Sequence, residues 1–168
     1  VTLTAVSDLE IAVAAAPAKT RYAVALVGPD DIDIELRGGG NASRQAGSLM
    51  LPDFTADRLH VIEVWTPGGN WSSFPPHKHE RDQNGEAQLE ETYYYRLRDP
   101  DNGWAVQRVY SPERQFDLVQ TVRDGDLLLI RPGTPGCPYD VDRALLVGPS
   151  TPTGHSWWSG VRRPGSPG

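Results

Sequence analysis

The sequence predicts an all-β domain, a sandwich or small barrel, on three observations. Fifteen prolines and seventeen glycines cut the chain into short runs, which leaves little room for long helices. Between the breaks, apolar and polar residues alternate, as with Ile32, Ile34 and Leu36 against Asp33, Glu35 and Arg37. That is the period of a half-buried strand with one wet face. At 168 residues the chain matches one ordinary domain with a core of its own.

In order, residues 1–6, 11–16 and 22–27 are apolar runs that read as strands, the second also compatible with a short alanine-rich helix ended by Pro17. Because the chain starts at Val1 within such a run, it is expected to be a piece of something longer. Residues 32–36 form the next strand, closed by Gly38-Gly39-Gly40-Asn41. Residues 42–57 are read as a loop with one strand near 48–51, and a strongly β-prone segment spans 59–65. Pro67-Gly68-Gly69-Asn70 is a turn in which glycine supplies positive φ. Pro75-Pro76 then forces an extended approach to His77, which is placed at a strand start, and residues 80–88 form a polar loop. Strands follow at 91–96, 104–110 and 116–122, and Asp124-Gly125 turns the chain into a buried strand at 126–130.

A formal charge of −6 and a pI near 5.1 supply no basic footprint, so nucleic acid is not an expected partner. Nor is a membrane, since no apolar run approaches the roughly 18 residues that span a bilayer. A single cysteine, Cys137, fits a reducing cytoplasm.

Three of the four histidines lie between His60 and Arg96. On a strand, His77 and His79 point to the same face, and a carboxylate from a neighbouring antiparallel strand can reach the same point. Alone, the pair reads equally well as two surface histidines. The rigid prolines before it and the aromatic run after it favour an enclosed metal site. Nitrogen and carboxylate donors suit zinc, manganese, iron, cobalt or nickel without selecting one. The carboxylate is open between Glu90 and Glu91, with Glu80, Asp82 and Glu86 as competitors from the loop. Glu91 is favoured because it shares a strand face with Tyr93 and Tyr95.

The runs EVWTPGGNWSSFPPHKHERD and LEETYYYR, with Gln107-Arg108-Val109-Tyr110 and Asp124-Gly125-Asp126, resemble the 5-deoxy-glucuronate isomerase family of inositol catabolism, within the bicupin superfamily. The resemblance covers residues 1–130. It implies a cupin-type barrel, a double-stranded β-helix or jelly roll, incomplete relative to the full bicupin. Residues 1–30 would be remnant strands of a first cupin domain and its linker. Residues 31–130 would be most of the second, metal-bearing domain, and residues 131–168 a diverged Pro/Gly-rich tail. The resemblance implies His77, His79 and Glu91 as ligands of a divalent metal. It also implies a fourth ligand, a histidine just after Ile130, where this chain has Arg131-Pro132-Gly133-Thr134-Pro135-Gly136-Cys137-Pro138. His155 reads as a surface residue and not as a replacement, so weakened metal binding is expected.

The implied reaction is the aldose-ketose isomerisation of 5-deoxy-D-glucuronate to 2-deoxy-5-keto-D-gluconate. Such chemistry needs a Lewis acid on the substrate oxygens and a base of matched pKa. Glu90, Tyr93, Tyr95 and Lys78 are candidates for proton transfer. Arg108, Arg96 and Arg81, with Gln107, are candidates for holding the sugar acid, because a guanidinium pairs with a carboxylate through two hydrogen bonds. Two alternatives remain beside it: another metal-dependent cupin enzyme, such as a dioxygenase or sugar isomerase, and a truncated or frame-shifted chain with little or no activity. In the latter case unpaired strand edges would favour homo-oligomers.

Overall fold

The structure is a computed structural model that describes residues 2–50, 56–79, 88–131, 142–148 and 153–162, with 142–144 and 153–162 as backbone alone. Among the described residues nine strands form two antiparallel sheets. They are β1 (Asp33–Arg37), β2 (Arg44–Ser48), β3 (Leu59–Pro67), β4 (Leu89–Leu97), β5 (Ala105–Ser111), β6 (Phe116–Val122), β7 (Leu127–Ile130), β8 (Asp142–Val147) and β9 (Thr153–Arg162). The larger sheet has the order β1-β2-β3-β9-β4-β7, and the smaller one β6-β5-β8. Among the described residues no helix is long and apolar enough to cross a membrane.

Alternation in β4 and β5 builds the interior. Glu91, Tyr93, Tyr95 and Leu97 are buried on one face of β4, and Ala105, Gln107, Val109 and Ser111 on one face of β5. Tyr93, Tyr95, Ala105, Val109, Val122, Ile130 and Leu145 form the core cluster, with Phe116 and Leu128 packed against it. Full burial of a side chain of the Val, Leu or Ile class is worth about 1.5–3 kcal/mol, so this cluster holds the two sheets together. A polar bond crosses the gap as well, from the Tyr95 hydroxyl to Gln107 Oε1 at 3.0 Å. Two turns use glycine as the sequence suggests. Gly69 takes φ 82° where the Asn70 N–H bonds the Pro67 carbonyl at 3.1 Å, and Gly125 takes φ 78° between Arg123 and Asp126.

Several expectations are corrected. The strands or short helix expected in the first 27 residues do not form, and residues 2–28 carry no strand or α-helix. A strand needs a neighbour for its N–H and C=O groups, and no described strand pairs with this segment. Its apolar side chains stay out, with Val6 98% and Leu26 95% exposed. Strand β1 forms where expected, but all five residues are exposed. Its register, Glu35 opposite Ala46 and Arg37 opposite Arg44, places the charged set on the face that continues toward the cavity described below. Ile34 and Leu36 lie on the other face. The strand expected near 48–51 lies instead at Arg44–Ser48, fixed by pairing to β1 and β3. Strand β7 buries only Ile130 fully, because it is the last strand of its sheet and turns Leu127 and Leu129 to solvent. Beyond Ile130, the segment read as a diverged tail supplies β8 and β9, and β9 lies between β3 and β4.

Candidate metal and substrate site

On β3, alternation sends His60, Ile62 and Val64 to one face, and on β2 Arg44 and Ala46 share theirs. These residues, with Arg37, Phe74, His77, His79, Leu89 and Tyr93 among others, line a cavity of about 560 Å³. That volume lies within the usual range for small-molecule sites.

The loop after β3 carries the histidine pair, and backbone bonds hold it on two sides. The Trp71 N–H donates to the Asn41 carbonyl at 2.7 Å, and the Asn70 side-chain amide donates to the Ser43 carbonyl at 2.9 Å. On the other side the Ser72 N–H bonds the Leu145 carbonyl at 2.7 Å. The expected strand start is absent. His77 occupies a single bridge position and His79 lies in irregular backbone. The two imidazoles nonetheless stand together on the cavity wall, centroids 5.1 Å apart and planes at 77°. A backbone bond ties this segment to β4: the Leu89 N–H donates to the His79 carbonyl at 3.0 Å, two residues before Glu91.

Glu91 is 1% exposed, between Leu89 and Tyr93 on the inner face of β4, and both of those neighbours line the cavity. The Tyr93 hydroxyl donates to Glu91 Oε2 at 2.8 Å. Glu90 lies on the opposite face, half-buried, which resolves the alternation in favour of Glu91 as the inward carboxylate. Glu80, Arg81, Asp82 and Glu86 lie outside the described residues, as do residues 132–140, where the fourth histidine was expected. For His155 the backbone alone is described, paired with Trp65 and Arg96.

Two imidazoles side by side and a buried carboxylate held by a tyrosine hydroxyl have the chemistry of a divalent-metal donor set. Among the described residues, however, no three His, Cys, Asp or Glu side chains gather closely enough to hold an ion. The donor types suit a metal, and the histidine pair lines the cavity, whereas Glu91 is buried between two cavity-lining residues and does not itself line it.

The remaining candidates divide. Tyr93 lines the cavity. Tyr95 stacks on it at 6.3 Å in the core and does not line the cavity, and burial pushes its phenol above the usual tyrosine range. Lys78 is exposed between the two histidines. Gln107 is wholly buried in the core, its Oε1 taken by Tyr95. Arg96 and Arg108 do not line the cavity. Arg96 binds Asp124 at 3.0 Å and also Glu10. Arg108 donates twice to Asp117, at 2.9 and 2.7 Å, and lies 4.4 Å over the Tyr110 ring. Both are held in outer-face ion pairs, away from the cavity. Sequence reasoning also passed over His60, Arg37 and Arg44 as cavity residues. The signal for His60 was its even spacing with Ile62 and Val64, and burial pushes its pKa below the usual histidine value.

The KduI/IolB family model matches residues 1–139. A 5-deoxy-glucuronate isomerase from Geobacillus thermodenitrificans (strain NG80-2) is 46% identical over 132 residues, covering 77% of this chain and 47% of the relative. The chain thus spans about half the length of the curated relatives it matches. Among solved structures, an IolB-like protein from Salmonella typhimurium LT2 superposes with TM-score 0.69 at 28% identity, over 84% of this chain and 50% of that one. A variant of oxalate decarboxylase from Bacillus subtilis superposes with TM-score 0.55 at 13% identity, over 79% of this chain and 28% of that one, a likeness of fold alone. The fold is the expected all-β, cupin-type barrel, and the chain belongs to the KduI/IolB family.

Proposed function

We propose that this chain is the metal-bearing part of a 5-deoxy-glucuronate isomerase, acting on a small sugar acid in the cytoplasm. In this reading residues 1–30 belong to the end of a preceding barrel, and residues 31–130, joined by β8 and β9 from beyond Ile130, to the metal-site barrel. The observation that carries it is the cavity that joins the His77–His79 pair to the β4 face bearing Glu91 and Tyr93, in a chain 46% identical to an isomerase of that name.

His77, His79 and Glu91 would hold a divalent ion, which when bound supplies Lewis acidity for the carbonyl and hydroxyl oxygens. Tyr93 fixes Glu91 by its hydrogen bond, the usual way in which a carboxylate ligand is oriented. Of the four proton-transfer candidates, Tyr93 is the one lining the cavity, and proton exchange with bound substrate is assigned to it in this reading. Val64, Ile62, Phe74 and Leu89 give the same cavity apolar walls.

The test is conversion of 5-deoxy-D-glucuronate by the chain after incubation with zinc or manganese, followed by NMR. Ketose formation that falls about 10²–10⁴-fold in Tyr93→Phe and is lost in His77→Ala supports the reading. An inactive parent chain, or equal rates in all three proteins, contradicts it.

A further inference from the structure

The cavity holds a cation that the proposed chemistry does not use. Arg44 is half-buried on β2 and lines the same cavity as His60, His77, His79 and Tyr93. One corner of its guanidinium is fixed, since Nη1 donates to the Ala42 carbonyl at 3.0 Å and, more weakly, to the Phe74 carbonyl at 3.4 Å. Gly38, at φ 75°, makes room for this arrangement. A Cβ there would stand 2.2 Å from the Ala42 carbonyl oxygen and 3.1 Å from Arg44 Nη1. The other edge, Nε and Nη2, makes no hydrogen bond among the described residues, and no described carboxylate lies within ion-pair distance.

The other guanidiniums already described differ. Arg37 is bound by Glu35 at 2.7 Å, Arg96 by Asp124 and Glu10, and Arg108 by Asp117. In a chain with 22 acidic and 16 basic residues, a half-buried arginine without a carboxylate is an uncompensated charge, costly unless an anion joins it. Burial, followed by the nearby Arg37 charge, pushes its pKa down, and the Glu35 charge opposes them. The protein fixes the side chain and leaves it poorly neutralised.

We infer that Arg44 is the residue that binds the substrate carboxylate, its Nε–Nη2 edge donating two parallel hydrogen bonds to the carboxylate of a sugar acid while the carbohydrate occupies the cavity toward His77 and His79. This rests on the sugar-acid reading above and replaces Arg96 and Arg108 in that role.

The experiment is calorimetric titration of the zinc-incubated 168-residue chain with D-glucuronate and D-glucose, which differ in the carboxylate. The parent should prefer glucuronate by about tenfold or more. Arg44→Gln should remove that preference while leaving glucose affinity unchanged, which also shows that the cavity is intact. Arg44→Lys should restore it only in part, because an ammonium lacks the planar fork, and Arg108→Ala should match the parent. A parent without preference, an Arg44→Gln variant that keeps it, or one that loses both ligands together overturns the assignment. The metal content of His77→Ala is read separately. If that variant keeps its metal, the metal reading fails while the Arg44 preference stands.

Discussion

The two faces of β4 carry similar residues to opposite ends. Tyr93 and Tyr95 point inward, 4% and 1% exposed, and their hydroxyls are held by Glu91 and Gln107. Tyr94 points outward, and its hydroxyl reaches Glu10 in the N-terminal segment at 2.6 Å. Each inward hydroxyl works in a dry environment where a lost partner leaves a buried polar atom behind, whereas water can replace the outward one. The inner face therefore carries both core energy and site chemistry. The outer face carries ion pairs that solvent screens.

The largest expected break between the faces comes from truncation. Tyr95→Ala should cost about 3–5 kcal/mol, the range for emptying a buried aromatic site, whereas Tyr94→Ala should cost under about 1 kcal/mol. Urea unfolding with an unchanged m-value measures both, and similar losses would dissolve the distinction. Tyr95→Phe isolates the hydroxyl. It leaves Gln107 Oε1 without its donor and should cost about 1–3 kcal/mol. The smallest effect belongs to Glu10, whose bonds to Arg96 and then Tyr94 hold its carboxyl below the usual range. A depressed carboxyl contributes stability above its unfolded pKa of about 4.3 and loses it as pH falls through the folded value. Since Glu10 is fully exposed, Glu10→Gln should leave the unfolding midpoint at pH 7 nearly unchanged and flatten only a slight acid-side slope. A marked shift at neutral pH would show that the N-terminal segment contributes to the fold.

The same contrast marks what the sequence could disclose. Strands β3 to β7 were legible because alternating residues are bounded there by Pro67-Gly68-Gly69-Asn70, Asp99 to Gly103 and Asp124-Gly125, and these turn signals are local. Strand β2, Arg44-Gln45-Ala46-Gly47-Ser48, has no such pattern and exists through its two neighbours. Strand β1 was found with its faces reversed, because that end of the sheet borders an open cavity and not packed core. His77, His79 and Glu91 were legible as residue types. The Leu89–His79 bond that ties the histidine segment to β4 was not, being a contact that no pattern along a strand signals. Arg44 was missed for the same reason: its place depends on Gly38, Ala42 and Phe74, which pattern along a strand does not connect.

In the proposed function, the inward face of β4 and the histidine loop together hold the metal. The direct measurement is metal content per chain after incubation with zinc and exhaustive dialysis, for the parent, His77→Ala, Glu91→Gln and the outer-face control Arg108→Ala. A metal site there should give about one ion per chain in the parent and the control, and loss in both site variants with the fold retained by circular dichroism. A parent without metal, or site variants that hold as much as the parent, would contradict it.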